Sequence, residues 1–141
     1  MTIYAETSAV LAWLLDEPSG SRVAAFLRPP SPVVVSDLAL IECDRTLRRL
    51  AGQRPDSVVD IEVLRSRLGA LAAGWAIEPI AKPVVDRARA PFPDDAIRSL
   101  DAIHLATAVV VRASIGDLDV LSLDERVRSN AVALGFRVLP V

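Results

Sequence analysis

Carboxylates are the residues of this chain whose placement could do chemistry. Glu6 follows a short extended segment and Glu42 lies one turn into the helix after a second. Asp101 opens a largely apolar helix, and Asp124 follows a further extended segment. Clustered carboxylates repel, and their pKa values rise unless a cation neutralises them. Clusters built only from oxygen suit hard cations such as Mg²⁺ or Mn²⁺. The usual use is phosphoryl chemistry, in which the ion acidifies a bound water and stabilises charge on phosphate oxygens. Each acid alone also has a plainer reading. Glu6 reads as a solvated carboxylate beyond a strand end. Glu42 lies opposite the Leu40–Leu47 stripe, beside Arg45 and Arg49, as a solvated ion-pair partner would. Asp101 suits the dipole of a first helical turn, and Asp124 suits a helix N-cap. The signal is the convergence of four.

The elements that must position them alternate. Thr2–Ala5 reads as a strand, with Thr7 or Ser8 capping a helix over Ala9–Leu15. Ser21–Leu27 resumes a helical pattern that Pro29, Pro30 and Pro32 end. Val33–Val35 is a buried strand and Ser36 the N-cap of a helix over Asp37–Ala51, with Leu40, Cys43, Leu47, Leu50 and Ala51 inward. A helix from Asp56 turns Val59, Val63, Leu64, Leu68 and Leu71 inward and stops at Gly74. Trp75–Glu78 is a strand and Lys82–Ala90 a short helix. Ser99 caps a buried helix over Leu100–Ala113. Asp119–Ser122 is a strand, Glu125–Leu134 a helix stopped by Gly135, and Phe136–Leu139 a last strand. This alternation, without hairpin signals, specifies an α/β fold with a parallel sheet and helices on both faces. Ligands of such sheets bind outside the carboxyl ends of the strands, which is where the acids fall.

Composition bounds the partners. The 141 residues suit one domain over 1–141, and 52 % hydrophobic residues with a mean hydropathy of +0.38 exclude intrinsic disorder. The net charge of −2 leaves nucleic-acid binding to a local patch or a metal. One cysteine, Cys43, excludes a disulfide framework and implies a reducing, cytoplasmic setting. No apolar stretch is long enough for a membrane span, and no signal peptide is visible. Every basic residue except Lys82 is arginine, which disfavours lysine chemistry.

Cys43 reads as an inert buried thiol, and Trp13 and Trp75 as core or interface aromatics. His104, the only histidine, has no serine or cysteine motif beside it and reads as a packing or surface group. Arg45, Arg48 and Arg49 read as a solvated helix face or as phosphate or partner contacts. Arg126 and Arg128 follow Asp124 and read likewise as a solvated helix face or as contacts to a phosphate backbone. The apolar face Val10, Leu11, Leu14 and Leu15 is a candidate for a dimer or partner surface.

Four motifs carry a resemblance over nearly the whole chain. They are Ile3-Tyr4-Ala5-Glu6-Thr7-Ser8-Ala9-Val10-Leu11, Ser36-Asp37-Leu38-Ala39-Leu40-Ile41-Glu42, Leu100-Asp101-Ala102-Ile103-His104-Leu105-Ala106-Thr107-Ala108 and Leu121-Ser122-Leu123-Asp124-Glu125-Arg126. In type, order and spacing they resemble those of PIN-domain ribonucleases, and more narrowly VapC-type toxins. The resemblance implies a three-layer fold with strand order 3-2-1-4-5. It implies endonucleolytic hydrolysis of RNA with Mg²⁺ or Mn²⁺ held by Glu6, Asp101 and Asp124. Glu42 would complete the catalytic set and act on the attacking water, with Thr7 and Ser122 orienting the acids. It also implies a homodimer neutralised by a VapB-type antitoxin.

The family's first acid is normally aspartate, and Glu6 reaches one methylene further. A module that is weakened as a nuclease and mainly binds an antitoxin is therefore the competing expectation. A phosphoacceptor signalling domain, the third reading, lacks a lysine after a suitable strand.

Overall fold

A computed structural model describes residues 1–53 and 60–141. Its order is β1 (Thr2–Ala5), α1 (Thr7–Leu14), α2 (Gly20–Ala24), β2 (Val33–Ser36), α3 (Asp37–Gln53), α4 (Ile61–Ala72), β3 (Ala76–Glu78), α5 (Lys82–Ala88), α6 (Ser99–Ile115), β4 (Leu118–Leu121), α7 (Glu125–Ala133) and β5 (Val138–Leu139). The five strands form one parallel sheet in the order β3-β2-β1-β4-β5. The expected order is the observed one.

Period-two alternation divides the strand residues between two cores. Ile3, Ala5, Val33 and Val35 face α1–α4, with Trp13, Leu14, Cys43 and Leu47. Tyr4, Val34, Leu118 and Val120 face the other layer, with Leu105, Val111, Val127 and Phe136. Both faces of β1, β2 and β4 are covered, which is why these strands read as continuous apolar runs. The result is three layers, helix on sheet on helix.

Several local expectations change. Ser21–Leu27 divides into α2 and a single 3-10 turn over Ala25–Leu27. Ser99 does not cap α6: it is the first helical residue, and Arg98 stands at the N-cap without a side-chain bond. The last strand shortens to two residues, because Gly135 turns the chain at φ 85° before it can rejoin the sheet. The expected helix start at Asp56, with Val59 inward, lies outside the described residues. The described part of α4 is capped by Asp60, which accepts from the backbone N–H groups of Glu62 and Val63, and Val63 is 59 % exposed. Val10 and Leu14 are fully buried, and Leu11 and Leu15 pack against the same core. The apolar face expected to await a partner is thus largely spent inside the domain. Trp13 is buried beneath the Arg67 guanidinium, and the Trp75 indole donates to the carbonyl of Leu27 at 3.1 Å. Both act as core aromatics.

The seam between α1 and α2 requires a glycine. A Cβ on Gly20 would lie 2.4 Å from the backbone carbonyl oxygen of Ala12, and backbone cannot yield as a side chain can. Gly20→Ala should cost about 1–3 kcal/mol, the usual penalty of overpacking. Urea unfolding checks this, and an unchanged midpoint would show that the seam opens freely.

Candidate active site

The strand order reverses at β1, which lies between β2 and β4. The chain leaves β1 for one side of the sheet and later returns to the other. Loops after β1 and β4 therefore flank a crevice at the carboxyl edge. Glu6 comes from the first loop, Ser122–Asp124 from the second, Glu42 from α3 after β2, and Asp101 from the first turn of α6.

Glu6 is buried, at 6 % exposure, and its carboxylate has donors. Oε2 accepts from the Ser8 backbone N–H at 3.1 Å, from the Ser8 hydroxyl, and from the Ser122 hydroxyl at 2.8 Å. Glu6, rather than Thr7 or Ser8, is the N-cap of α1. Ser122 Oγ in turn accepts from the Asp124 N–H at 3.1 Å, and Ser8 Oγ accepts from the Leu123 N–H at 2.8 Å. The β1 and β4 loops are thus laced together. Asp124 Oδ1 caps α7, accepting from the N–H groups of Arg126 and Val127 at 2.9 and 3.1 Å.

Glu42 departs from its plainer reading. The buried residues of α3 are Leu38, Ala39, Cys43 and Leu47, so the inward stripe is centred on 39-43-47 rather than on Leu40. Glu42 therefore stands at the flank of the buried stripe, and among the described residues its partner is His104 rather than Arg45 or Arg49. Its Oε1 accepts from Thr7 Oγ1 at 2.7 Å and lies 2.6 Å from His104 Nε2. Burial alone would raise its carboxyl pKa. The hydrogen bonds from His104 and Thr7 outweigh burial and hold it below the ordinary value of 4.5. Glu42 is therefore an ionised carboxylate at neutral pH.

His104 is not a surface group. It is 1 % exposed, with Nδ1 2.7 Å from the hydroxyl of fully buried Tyr4 and Nε2 3.0 Å from Thr7 Oγ1. Sequence reasoning missed this pair. The signal was a polar residue on the buried row His104–Thr107–Val111 of α6, because a buried polar ring requires partners.

Asp101 is half-buried, one turn before His104, and no hydrogen bond ties it among the described residues. Arg126 is exposed. Arg128 is occupied, donating to the carbonyls of Ser122 at 2.7 Å, Leu139 at 3.1 Å and Pro140 at 2.9 Å. It fastens the C-terminal residues to the β4 loop, and its expected reach toward RNA is spent there. Cys43 is buried and its thiol is pushed up to about 12, chiefly by burial, as an inert core group requires. Asp119, a buried acid of β4 that the sequence reading passed over, pairs with Arg137 at 3.0 Å away from the crevice.

The donor set is oxygen-only, as Mg²⁺ or Mn²⁺ prefers. Among the described residues, however, no three Asp, Glu, His or Cys side chains are grouped closely enough to enclose a metal. Glu6, Asp101 and Asp124 are expected to hold the ion, some of them through water. One oxygen of Glu6 and one of Asp124 are committed to protein donors. The second oxygen of each, and both of Asp101, carry no hydrogen bond among the described residues. That arrangement fits a cation held by one or two carboxylates with water completing the shell, the usual mode for Mg²⁺.

Residues 3–133 match the PIN domain family. The chain belongs to that family. Full-length relatives of this PIN domain are ribonucleases. Ribonuclease VapC46 of Mycobacterium tuberculosis (strain ATCC 25618 / H37Rv) is 32 % identical over 143 residues, covering 97 % of this chain and 95 % of the relative. Ribonuclease VapC35 of the same strain is 30 % identical over 140 residues, with 97 % and 95 % covered. Solved structures share the fold. Mycobacterium tuberculosis VapC20, a sarcin–ricin loop cleaving toxin, superposes with a TM-score of 0.64 at 19 % identity, covering 96 % of each chain. A chain of a toxin–antitoxin complex from Klebsiella pneumoniae superposes with a TM-score of 0.64 at 18 % identity, covering 99 % of this chain and 97 % of that one. No helix among the described residues of this PIN domain is long and apolar enough to cross a membrane.

Proposed function

We propose that this PIN domain is a metal-dependent endoribonuclease, the toxin of a VapBC-type pair, acting on RNA in the cytoplasm. The observation that carries the reading is the lacing of the β1 and β4 loops. Glu6, Ser122 and Asp124 share one hydrogen-bonded seam at the switch point of the sheet, and Thr7 joins that seam to Glu42. Glu6, Asp101 and Asp124 are the residues that would hold Mg²⁺ or Mn²⁺. The ion supplies neutralisation of the phosphate charge and a more acidic water. Glu42, ionised and fixed through one oxygen, is placed to orient a water and accept its proton. Thr7 and Ser122 hold the carboxylates in their rotamers. Arg126, exposed beside Asp124, is the cation left to meet a backbone phosphate. A VapB-type antitoxin and a second copy of the chain are the proposed protein partners, as the toxin–antitoxin complex among the structural neighbours supports.

The test is cleavage of total RNA by antitoxin-free protein with Mg²⁺, then with Mn²⁺. Cleavage that stops with EDTA and returns with added metal is the expected result. Cleavage indifferent to EDTA would overturn the metal-dependent reading.

One observation favours a second reading. The longer side chain of Glu6 folds back onto Ser8 and Ser122, so the acid that replaces the family's aspartate also serves as a structural cap. A folded protein that binds its antitoxin but cleaves nothing at high Mn²⁺ would make the chain a binding module.

A further inference from the structure

We infer that His104 is a positioning residue for Glu42, holding that carboxylate through an Nε2–H bond that the Tyr4 hydroxyl fixes from the other side of the ring. The inference rests on the reading of Glu42 as the proton acceptor of an RNA-cleaving site.

Proton counting carries it. Four polar groups meet in a closed set drawn from β1, α1, α3 and α6: Tyr4 Oη, His104, Thr7 Oγ1 and Glu42 Oε1. Four contacts join them and three protons serve them, because Thr7 Oγ1 and His104 Nε2, 3.0 Å apart, both donate to the same oxygen. The Thr7 hydroxyl donates to Glu42 Oε1 at 2.7 Å. His104 Nε2 lies 2.6 Å from the same oxygen. If Nε2 were bare, its lone pair would face a carboxylate lone pair at that distance, which is repulsive. Nε2 therefore carries a proton and donates it to Glu42. Nδ1 lies 2.7 Å from a tyrosine hydroxyl that is 0 % exposed. A phenol hydroxyl keeps its proton at neutral pH, and this one is sealed from solvent. It donates to Nδ1 of the neutral ring. If the ring charges, Nδ1–H donates to Tyr4 instead, and Nε2–H still points at Glu42. The bond to Glu42 is the same in both ring charge states.

The consequence is geometric. Two donors from two different elements converge on Oε1, so the carboxylate cannot turn about its last bond without losing both. The other oxygen, Oε2, has no hydrogen bond among the described residues and is the one left for solvent or substrate. A longer-range partner such as a lone threonine would fix Oε1 less firmly, because a hydroxyl rotates and a buried ring held at both nitrogens does not. Partners of this kind commonly change activity 10–100-fold when removed.

Because His104 is the only histidine, tag-free protein labelled with ¹⁵N at histidine gives a single ring signature. The expected pattern is a protonated Nε2 whose proton exchanges slowly with water. In Glu42→Ala that proton should exchange at least tenfold faster. Cleavage supplies the second readout. His104→Leu should lower kcat about 10–100-fold with little change in KM. His104→Gln, whose amide nitrogen can stand near the Nε2 position, should recover at least part of that loss. Tyr4→Phe keeps the inference testable if His104→Leu does not fold: it should raise the Nδ1–H population and lower kcat severalfold. A bare Nε2 in the wild type, or a folded His104→Leu protein with wild-type kcat, overturns the inference. If the wild type cleaves nothing, the ring signature still decides how Glu42 is held, and it is the nuclease reading that fails.

Discussion

Asp101→Asn should abolish cleavage while leaving the fold almost untouched. The carboxylate stands in the first turn of α6, half-buried, and no hydrogen bond ties it among the described residues. Its structural worth is limited to a favourable place at a helix N-terminus, about 0.3–1 kcal/mol. The amide has the same shape, so packing does not change. What would be lost, on the proposed function, is the charge that holds a hard cation beside a phosphate, and a metal's stabilisation of the transition state is worth several kcal/mol. A loss of about 4 kcal/mol corresponds to roughly a thousandfold in rate. Initial cleavage rates at saturating Mn²⁺, set beside urea unfolding of both proteins, separate the two effects. A variant that unfolds like the wild type and cleaves at the wild-type rate would remove Asp101 from the site.

Glu6 should behave differently, because it has two jobs. Glu6→Ala removes the N-cap of α1, a loss of about 0.5–2 kcal/mol. It also leaves the fully buried Ser122 hydroxyl without its acceptor, a further penalty of about 1–3 kcal/mol. The expected result is a protein about 1.5–5 kcal/mol less stable that no longer cleaves. Glu6→Gln keeps an oxygen able to accept from Ser8 and Ser122, so it should unfold within about 1 kcal/mol of the wild type. It loses the charge and should lose cleavage. Equal stability of the Ala and Gln variants would show that the seam does not depend on this side chain. Retained cleavage in Glu6→Gln would show that the site does not need its charge.

The sheet was readable because its central strands β1, β2 and β4 are mostly apolar and are followed by capping residues. That pattern signals a parallel sheet covered on both faces. Glu6 and Asp124 were readable as site candidates for a related reason, since both stand directly after strands. Glu42 was only half readable. Periodicity on α3 found Cys43 and Leu47 but extended the stripe over Leu40, Leu50 and Ala51, which are only half-buried, instead of Leu38 and Ala39. That error turned a half-buried acceptor into a solvated ion-pair partner. His104 could not be paired from sequence, because its partners Tyr4 and Thr7 lie 100 and 97 residues away. Arg128 was misassigned for the opposite reason. Its position after Asp124 suggested a ligand contact, but the carbonyls it satisfies belong to a C-terminal turn that local pattern does not reveal. That Glu6, Asp101 and Asp124 would hold a cation, some through water, was an expectation from motif types. Motif types do not show which oxygen of each carboxylate is already taken by Ser8, Ser122 or the start of α7.

The seam between the β1 and β4 loops also sets a timetable for synthesis. The bond from Ser122 to Glu6 spans 116 residues of chain, and the strand that must carry it, β4, is the last but one to be made. At about 5–20 residues per second, a nascent chain waits about 6–23 s after Glu6 is made before its partner exists. Throughout that interval β1 lacks one of its two neighbours, and the carboxylates have no common seam. On the proposed function, a site that needs this seam cannot assemble until β4 has been made. The delay comes from putting the first strand at the centre of the sheet.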